Sequence, residues 1–199
     1  MTICYVLGNS LYINITNDCT NACKFCVRTQ ECGIDENVNL WIDRDPTTDE
    51  IIEDIKKFNP DNYDEVVYCG YGEPLMKIDE FLQSAKFIKE NYNSKIRVNT
   101  NGHASICAGR NVVPEFKGLV DAISISLNEK DAGLYNELCV CQFGEKGFDA
   151  MIDFTKECIG IIPEVTMSVV DVIPKEHIEE CRKIAEEIGA KFRVREMIE

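Results

Sequence analysis

Three cysteines, at positions 19, 23 and 26 of the segment Cys19-Thr20-Asn21-Ala22-Cys23-Lys24-Phe25-Cys26, are spaced C-x3-C-x2-C. Thiolates this close along a chain can wrap one metal centre. A four-iron cubane held by three thiolates keeps one iron without a protein ligand. An open iron can bind a substrate, just as catalytic zinc sites keep a position free. Cys32, six residues beyond Cys26, offers a fourth thiolate, which would close the site as a structural zinc or an electron-transfer cluster. The spacing departs from ferredoxin and zinc-ribbon patterns. Eleven cysteines in 199 residues, an odd number beside an N-terminus with no basic leader region, favour metal or redox chemistry over a disulfide framework. So many thiols also suit an anaerobic setting.

Other residues with chemical potential cluster downstream. Cys69-Gly70-Tyr71-Gly72-Glu73-Pro74-Leu75 follows an apolar run. Its glycines let the backbone approach a ligand closely, and Glu73 with exposed backbone groups can hold an ammonium group; a plain turn has the same composition. Val98-Asn99-Thr100-Asn101-Gly102 ends a second run. Ile123-Ser124-Ile125-Ser126-Leu127-Asn128 places two hydroxyls and an amide on one face of a strand, where they bind a ligand or fill a tight core. Arg193 and Arg195 share a face and suit a carboxylate or phosphate, or a solvated edge. Cys139-Val140-Cys141 offers a second metal or redox pair, although buried cysteine is often inert. His103 is expected to face the site and His177 the surface. Trp41 and Tyr71 can line a pocket or pack in a loop.

The elements that must position these groups follow from periodicity and turn chemistry. Ile3 to Leu7 and Leu11 to Ile15 flank a turn at Gly8-Asn9-Ser10 and predict a hairpin. Thr47-Thr48-Asp49-Glu50 opens a helix with Ile51, Ile52, Ile55 and Phe58 on one face. Strands follow at Glu65 to Cys69, Lys95 to Thr100, Val120 to Leu127, Glu164 to Val172 and Lys191 to Met197. Helical stretches are expected at Ile78 to Tyr92, Val112 to Phe116, within 131–142, at Phe148 to Ile159 and at Lys175 to Ile188. Beyond the first hairpin arm, six strands alternate with five crossovers. This predicts an α/β fold with a mainly parallel sheet and right-handed connections. An eight-fold barrel needs about 250 residues, so the expectation is a partial (β/α)6 barrel, or an open doubly wound sheet, in one domain over residues 1–199. Its site would lie at the C-terminal strand ends. A net charge of −14 repels phosphate backbones and argues against nucleic acid. No apolar run reaches the roughly 18–20 residues of a membrane span, which predicts a cytoplasmic protein.

Taken together, the motifs resemble those of the radical SAM superfamily, whose signature is C-x3-C-x-aromatic-C, with Phe25 in the aromatic place. The resemblance implies a [4Fe-4S] cluster on Cys19, Cys23 and Cys26. It implies S-adenosyl-L-methionine chelated to the fourth iron, with Phe25 near the adenine. Gly70-Tyr71-Gly72-Glu73-Pro74 is similar to the family's G-G-E-P turn, which takes the methionine amino group; Tyr71 departs from it in the second place. Thr100-Asn101-Gly102 resembles the T-N-G of glycyl-radical activases. Ser124, Ser126 and Asn128 are implied contacts to the ribose or the methionine carboxylate, and backbone near Val170 is an implied contact to adenine. The implied reaction is reductive cleavage of S-adenosylmethionine to a 5′-deoxyadenosyl radical that takes hydrogen from a substrate. That substrate is a small molecule or a protein loop, and a flavodoxin- or ferredoxin-like donor supplies the electron. Within the superfamily, Asn17-Asp18-Cys19-Thr20-Asn21 and the region Val169 to Arg195 look similar to the short TatD-associated proteins, implying a link to a TatD-type hydrolase. A non-catalytic iron–sulfur or zinc protein closed by Cys32 is the competing expectation.

Overall fold

The computed structural model describes residues 1–29 and 39–197. Strands β1 (Cys4–Leu7) and β2 (Ser10–Ile13) form the expected antiparallel hairpin. Leu7 stands opposite Ser10, so the turn itself is Gly8-Asn9, with Gly8 at φ 58, a backbone region that suits a residue without Cβ. Strands β3 (Glu65–Tyr68), β4 (Lys95–Thr100), β5 (Ala122–Ser126), β6 (Glu164–Val170) and β7 (Lys191–Arg195) then add in parallel, one beside the next. The sheet order is β1-β2-β3-β4-β5-β6-β7.

Helices α1 (Thr48–Phe58), α2 (Ile78–Asn91), α3 (Ala104–Ala108), α4 (Ala132–Cys139), α5 (Lys146–Cys158) and α6 (Lys175–Ile188) supply the crossovers. Helix α1 starts where its sequence says. Thr47 Oγ1 accepts from Glu50 N at 3.3 Å and Glu50 Oε2 accepts from Thr47 N at 2.9 Å, a reciprocal capping box. Helix α3 was not expected; five residues are too few to carry a helical period. The run Val112 to Phe116 is a 3-10 turn over Val113–Phe116.

The two faces of the sheet differ in chemistry. Along β4, Ile96 and Val98 are buried against the helices, while Arg97 and Asn99 on the other face are half-buried. Along β5, Ile123 and Ile125 face the helices and Ser124 and Ser126 the opposite side. On that polar face Arg97 Nη2 meets Glu65 Oε1 of β3 at 2.7 Å, and its Nη1 donates to Asn99 Oδ1 at 2.7 Å. Tyr5 and Tyr12 from one edge of the sheet and Arg195 from the other line the same cleft. The sheet is therefore curled, yet β1 and β7 do not pair. The architecture is a partial (β/α)6 barrel with a hairpin arm.

Candidate functional site

The cysteine loop leaves β2 and is gripped from two sides. On one side the turn after β3 packs against it: Glu73 N donates to Asp18 O at 2.7 Å. A Cβ on Gly72 would stand 2.3 Å from Thr16 O and 2.7 Å from Asp18 O, so only glycine allows this approach. On the other side lies the segment after α4. Ala22 N donates to Cys139 O at 2.9 Å, Lys24 N to Leu138 O at 3.1 Å, and Gln142 N to Thr20 O at 2.9 Å. An antiparallel bridge joins Asn21 and Cys141. Within this gripping segment Val140 adopts φ 48, a conformation costly for a β-branched residue.

Cys19, Cys23, Cys26 and Phe25 all line one cleft of about 340 Å3 at the C-terminal ends of the strands. Gly70, Gly72 and Glu73 form one wall, Thr100 and Asn101 the next, and Ser126, Asn128 and Val170 the far side. Of the residues that the resemblance implied as cofactor contacts, Tyr71, Pro74 and Ser124 are not among the lining residues. Tyr71 is buried with Tyr5 and Leu40, its ring 5.2 Å from exposed Trp41. Pro74 is buried in the 3-10 turn Pro74–Met76, and Ser124 lies two residues before Ser126 on β5. Cys32 lies outside the described residues.

Burial pushes the Cys19 thiol up to about 12, with Glu73 adding to the effect. A hydrogen bond with Cys139, followed by burial, drives the Cys23 thiol upward, and burial raises Cys26. The three thiols keep their protons until a cation displaces them. Among the described residues no three such side chains are gathered at metal-binding geometry, in keeping with the Cys23 thiol being turned toward Cys139. Soft thiol donors opening on one cleft suit an iron–sulfur cluster. The cleft also leaves polar atoms for a further ligand. Asn21 Oδ1, Asn128 Oδ1 and Arg195 Nε are buried without a protein partner among the described residues, and all three side chains line the cleft. Orphaned buried atoms on residues that line one cavity fit a bound polar molecule.

Glu73 is buried, and its carboxylate already takes Leu75 N at 3.1 Å and Thr100 Oγ1 at 2.8 Å on Oε1, and Asn101 N at 2.7 Å on Oε2. These bonds favour the ionised form, but burial outweighs them and lifts the group to about 7. Glu73 thus ties the β3 turn to the end of β4. His103, expected at the site, is fully buried and does not line the cleft; its Nδ1 meets Thr20 Oγ1 at 2.8 Å. His177 Nδ1 pairs with Glu129 Oε1 at 3.0 Å. Arg195 lines the cleft while Arg193 is exposed. The contact of Cys139 with Cys23, and the bond from Asn128 Nδ2 to Cys139 Sγ at 3.5 Å, were not foreseen. The C-x-C spacing at Cys139 and Cys141 was the only trace of them in sequence.

An open, mainly parallel α/β barrel carries a cysteine-rich loop at a cleft on its strand ends. Residues 13–188 match the family model of the Radical SAM superfamily, and the chain belongs to that superfamily. Its members are enzymes that use a [4Fe-4S] cluster and S-adenosylmethionine and generally need an external electron donor. Among solved structures, SuiB of Streptococcus suis bound to S-adenosylmethionine is 19% identical with a TM-score of 0.69, covering 97% of this chain and 40% of its own. HydG, a maturase of the [FeFe]-hydrogenase, is 14% identical with a TM-score of 0.66, covering 96% and 42%. A radical SAM methyltransferase from Sphaerobacter thermophilus is 14% identical with a TM-score of 0.64, covering 97% and 68%. At such identities the likeness is one of fold, and the chain spans less than half the length of SuiB and HydG. No curated protein matches the chain.

Proposed function

We propose that this chain is the core domain of a radical SAM enzyme in which Cys19, Cys23 and Cys26 hold a [4Fe-4S] cluster and the adjoining cleft holds S-adenosylmethionine. The observation that carries this reading is the opening of all three thiols on one cleft at the strand ends. When bound, the cluster and S-adenosylmethionine supply one-electron cleavage of the sulfonium and a 5′-deoxyadenosyl radical that takes hydrogen from a substrate. The chain's own residues bind, orient and exclude water. Phe25 and backbone near Val170 flank the adenine, and Gly70 exposes main chain to the methionine amino group. Glu73 acts mainly by holding the turn in shape, since Leu75, Thr100 and Asn101 already donate to it. Asn21, Ser126, Asn128 and Arg195 offer the remaining polar contacts. Tyr5, Leu7 and Tyr12 give the cleft an apolar side that keeps water from a reactive species.

The substrate is a small molecule or a protein loop, and the donor a flavodoxin- or ferredoxin-like protein. The motif around Cys19 supports placement in the short TatD-associated group, with a TatD-type hydrolase as a functional neighbour. An anaerobic, cytoplasmic setting fits cysteines that form no disulfide among the described residues, and among the described residues no helix is long and apolar enough to cross a membrane.

Anaerobic electron paramagnetic resonance of the reconstituted, reduced chain tests the reading. The expected result is a [4Fe-4S]+ signal that changes when S-adenosylmethionine is added, with 5′-deoxyadenosine formed. Replacing Cys19, Cys23 or Cys26 by Ala removes most of the iron, whereas Cys32→Ala keeps it. A signal indifferent to S-adenosylmethionine, or zinc in place of iron, would refute the proposal.

A further inference from the structure

Beside the cysteine loop runs a chain of buried polar groups whose donors and acceptors have one consistent direction. Gly147 O lies 3.0 Å from His103 Nε2. A carbonyl only accepts, so the ring proton is on Nε2. Nδ1 is then bare, and the Thr20 hydroxyl at 2.8 Å donates to it. Having given its hydrogen, Thr20 Oγ1 offers only lone pairs, and it accepts from Asn101 Nδ2 at 2.7 Å. The other end of the Asn101 amide is fixed too, because Oδ1 accepts from His103 N at 3.0 Å; the amide cannot flip without breaking both bonds. The Asn101 main-chain N–H is held by Glu73 Oε2 at 2.7 Å. One amide hydrogen remains, and Nδ2 stands 3.7 Å from Cys19 Sγ. Cys19 Sγ also accepts from the main chain at Asn21 N, 3.4 Å away. Burial lowers His103 to about 4, so the imidazole stays neutral at neutral pH and the direction of the chain is kept.

We propose that Asn101 donates its side-chain N–H to the sulfur of Cys19 and so raises the reduction potential of the cluster held there, with Thr20 and His103 as the positioning residues. This rests on Cys19 being a cluster ligand. A donor aimed at a ligand sulfur stabilises the reduced, more negative cluster more than the oxidised one. Losing it makes reduction harder.

The test is a redox titration of the reconstituted chain, followed by electron paramagnetic resonance without S-adenosylmethionine. Asn101→Ala is expected to shift the one-electron equilibrium about tenfold toward the oxidised cluster, which is 59 mV for a one-electron couple. Asn101→Asp shifts it further, since a negative charge replaces the donor. Thr20→Val shifts it the same way because the amide loses its anchor, and Thr20→Ser, which keeps the hydroxyl, restores the wild-type potential. Equal potentials in wild type, Asn101→Ala and Thr20→Val would overturn the proposal. An independent readout needs no substitution to fold: with asparagine 15N-labelled at the side-chain amide, pulsed resonance of the reduced wild-type cluster detects a weak nitrogen coupling. Its absence from the wild type overturns the proposal as well, and Asn101→Asp assigns it by losing it. A wild-type chain that takes up no [4Fe-4S] cluster fails at the earlier step and overturns the role of Cys19 as a ligand, which separates the two failures.

Discussion

Glu73 and His103 are both buried near the cysteine loop, and burial moves them in opposite directions: Glu73 from 4.5 up to about 7, His103 from 6.5 down to about 4. Between pH 4.5 and 7 the folded chain binds the Glu73 proton more tightly than the unfolded chain does, so this group favours folding in acid, and that contribution is lost as pH rises through about 7. His103 works in reverse. Below pH 6.5 the unfolded chain takes up a proton the folded one refuses, so stability is lost as pH falls toward 4. Either displacement corresponds to roughly 3 kcal/mol. In the metal-free wild type the two slopes nearly offset over this window. Glu73→Gln exposes the histidine slope, and stability falls on acidification; His103→Gln exposes the carboxylate slope, and stability rises. Urea unfolding at a series of pH values checks this, and superimposable profiles would refute it. At this scale sequence placed Glu73 at the cleft. Its protein partners include Thr100 and Asn101, residues that only the pairing of β3 with β4 brings near.

The element that matters most is a loop with no regular structure of its own. The residues from 17 to 26 take their shape from the β3 turn and from the segment after α4. The first of these was legible, because two glycines around a tyrosine after an apolar run announce a close approach; Gly72 packs on the main chain at Thr16 and Asp18, and Gly70 on the Asn14 side chain. The second was not, because hydrogen bonds between Ala22 and Cys139 join residues more than a hundred positions apart. Strand and helix positions were readable from alternation and caps. Helix α3 lacked the length to show a period; most strand ends fell one or two residues inside the expected limits, while β4 met its limits and β2 begins one residue earlier, at Ser10. Val140 caps α4 in the left-handed region while 49% exposed. Glycine relieves that strain with little packing lost, so Val140→Gly should stabilise the fold by about 1 kcal/mol, read as a higher urea midpoint. A lower midpoint would mean the valine side chain matters to the grip on the cysteine loop.

Across the whole molecule, the curl that gathers both edges round one cleft stops short of closure, and among the described residues β7 has an unpaired side. Such an edge invites pairing with another chain. Lys191 and Arg193, both exposed, blunt it with charge. Replacing both by Thr should produce concentration-dependent association in light scattering, while either single change has a weaker effect; an unchanged monomer–oligomer distribution would show that the edge is guarded by something other than charge. Parallel order and an open barrel were both legible from chain length and alternation. Which side chains the curl would gather was not, since that depends on how the helices pack against the aliphatic face.

The two-sided grip on the cysteine loop also sets a timetable. As the chain leaves the ribosome the three cysteines emerge early, but the carbonyls of Leu138 and Cys139 that frame them come more than a hundred residues later. Until then the thiols have no lattice to hold them apart or orient them, and iron offered to the nascent chain would meet a floppy chelator. For the proposed cluster site the expected order is therefore folding first and loading second, with the sheet complete before the three thiols are held in place.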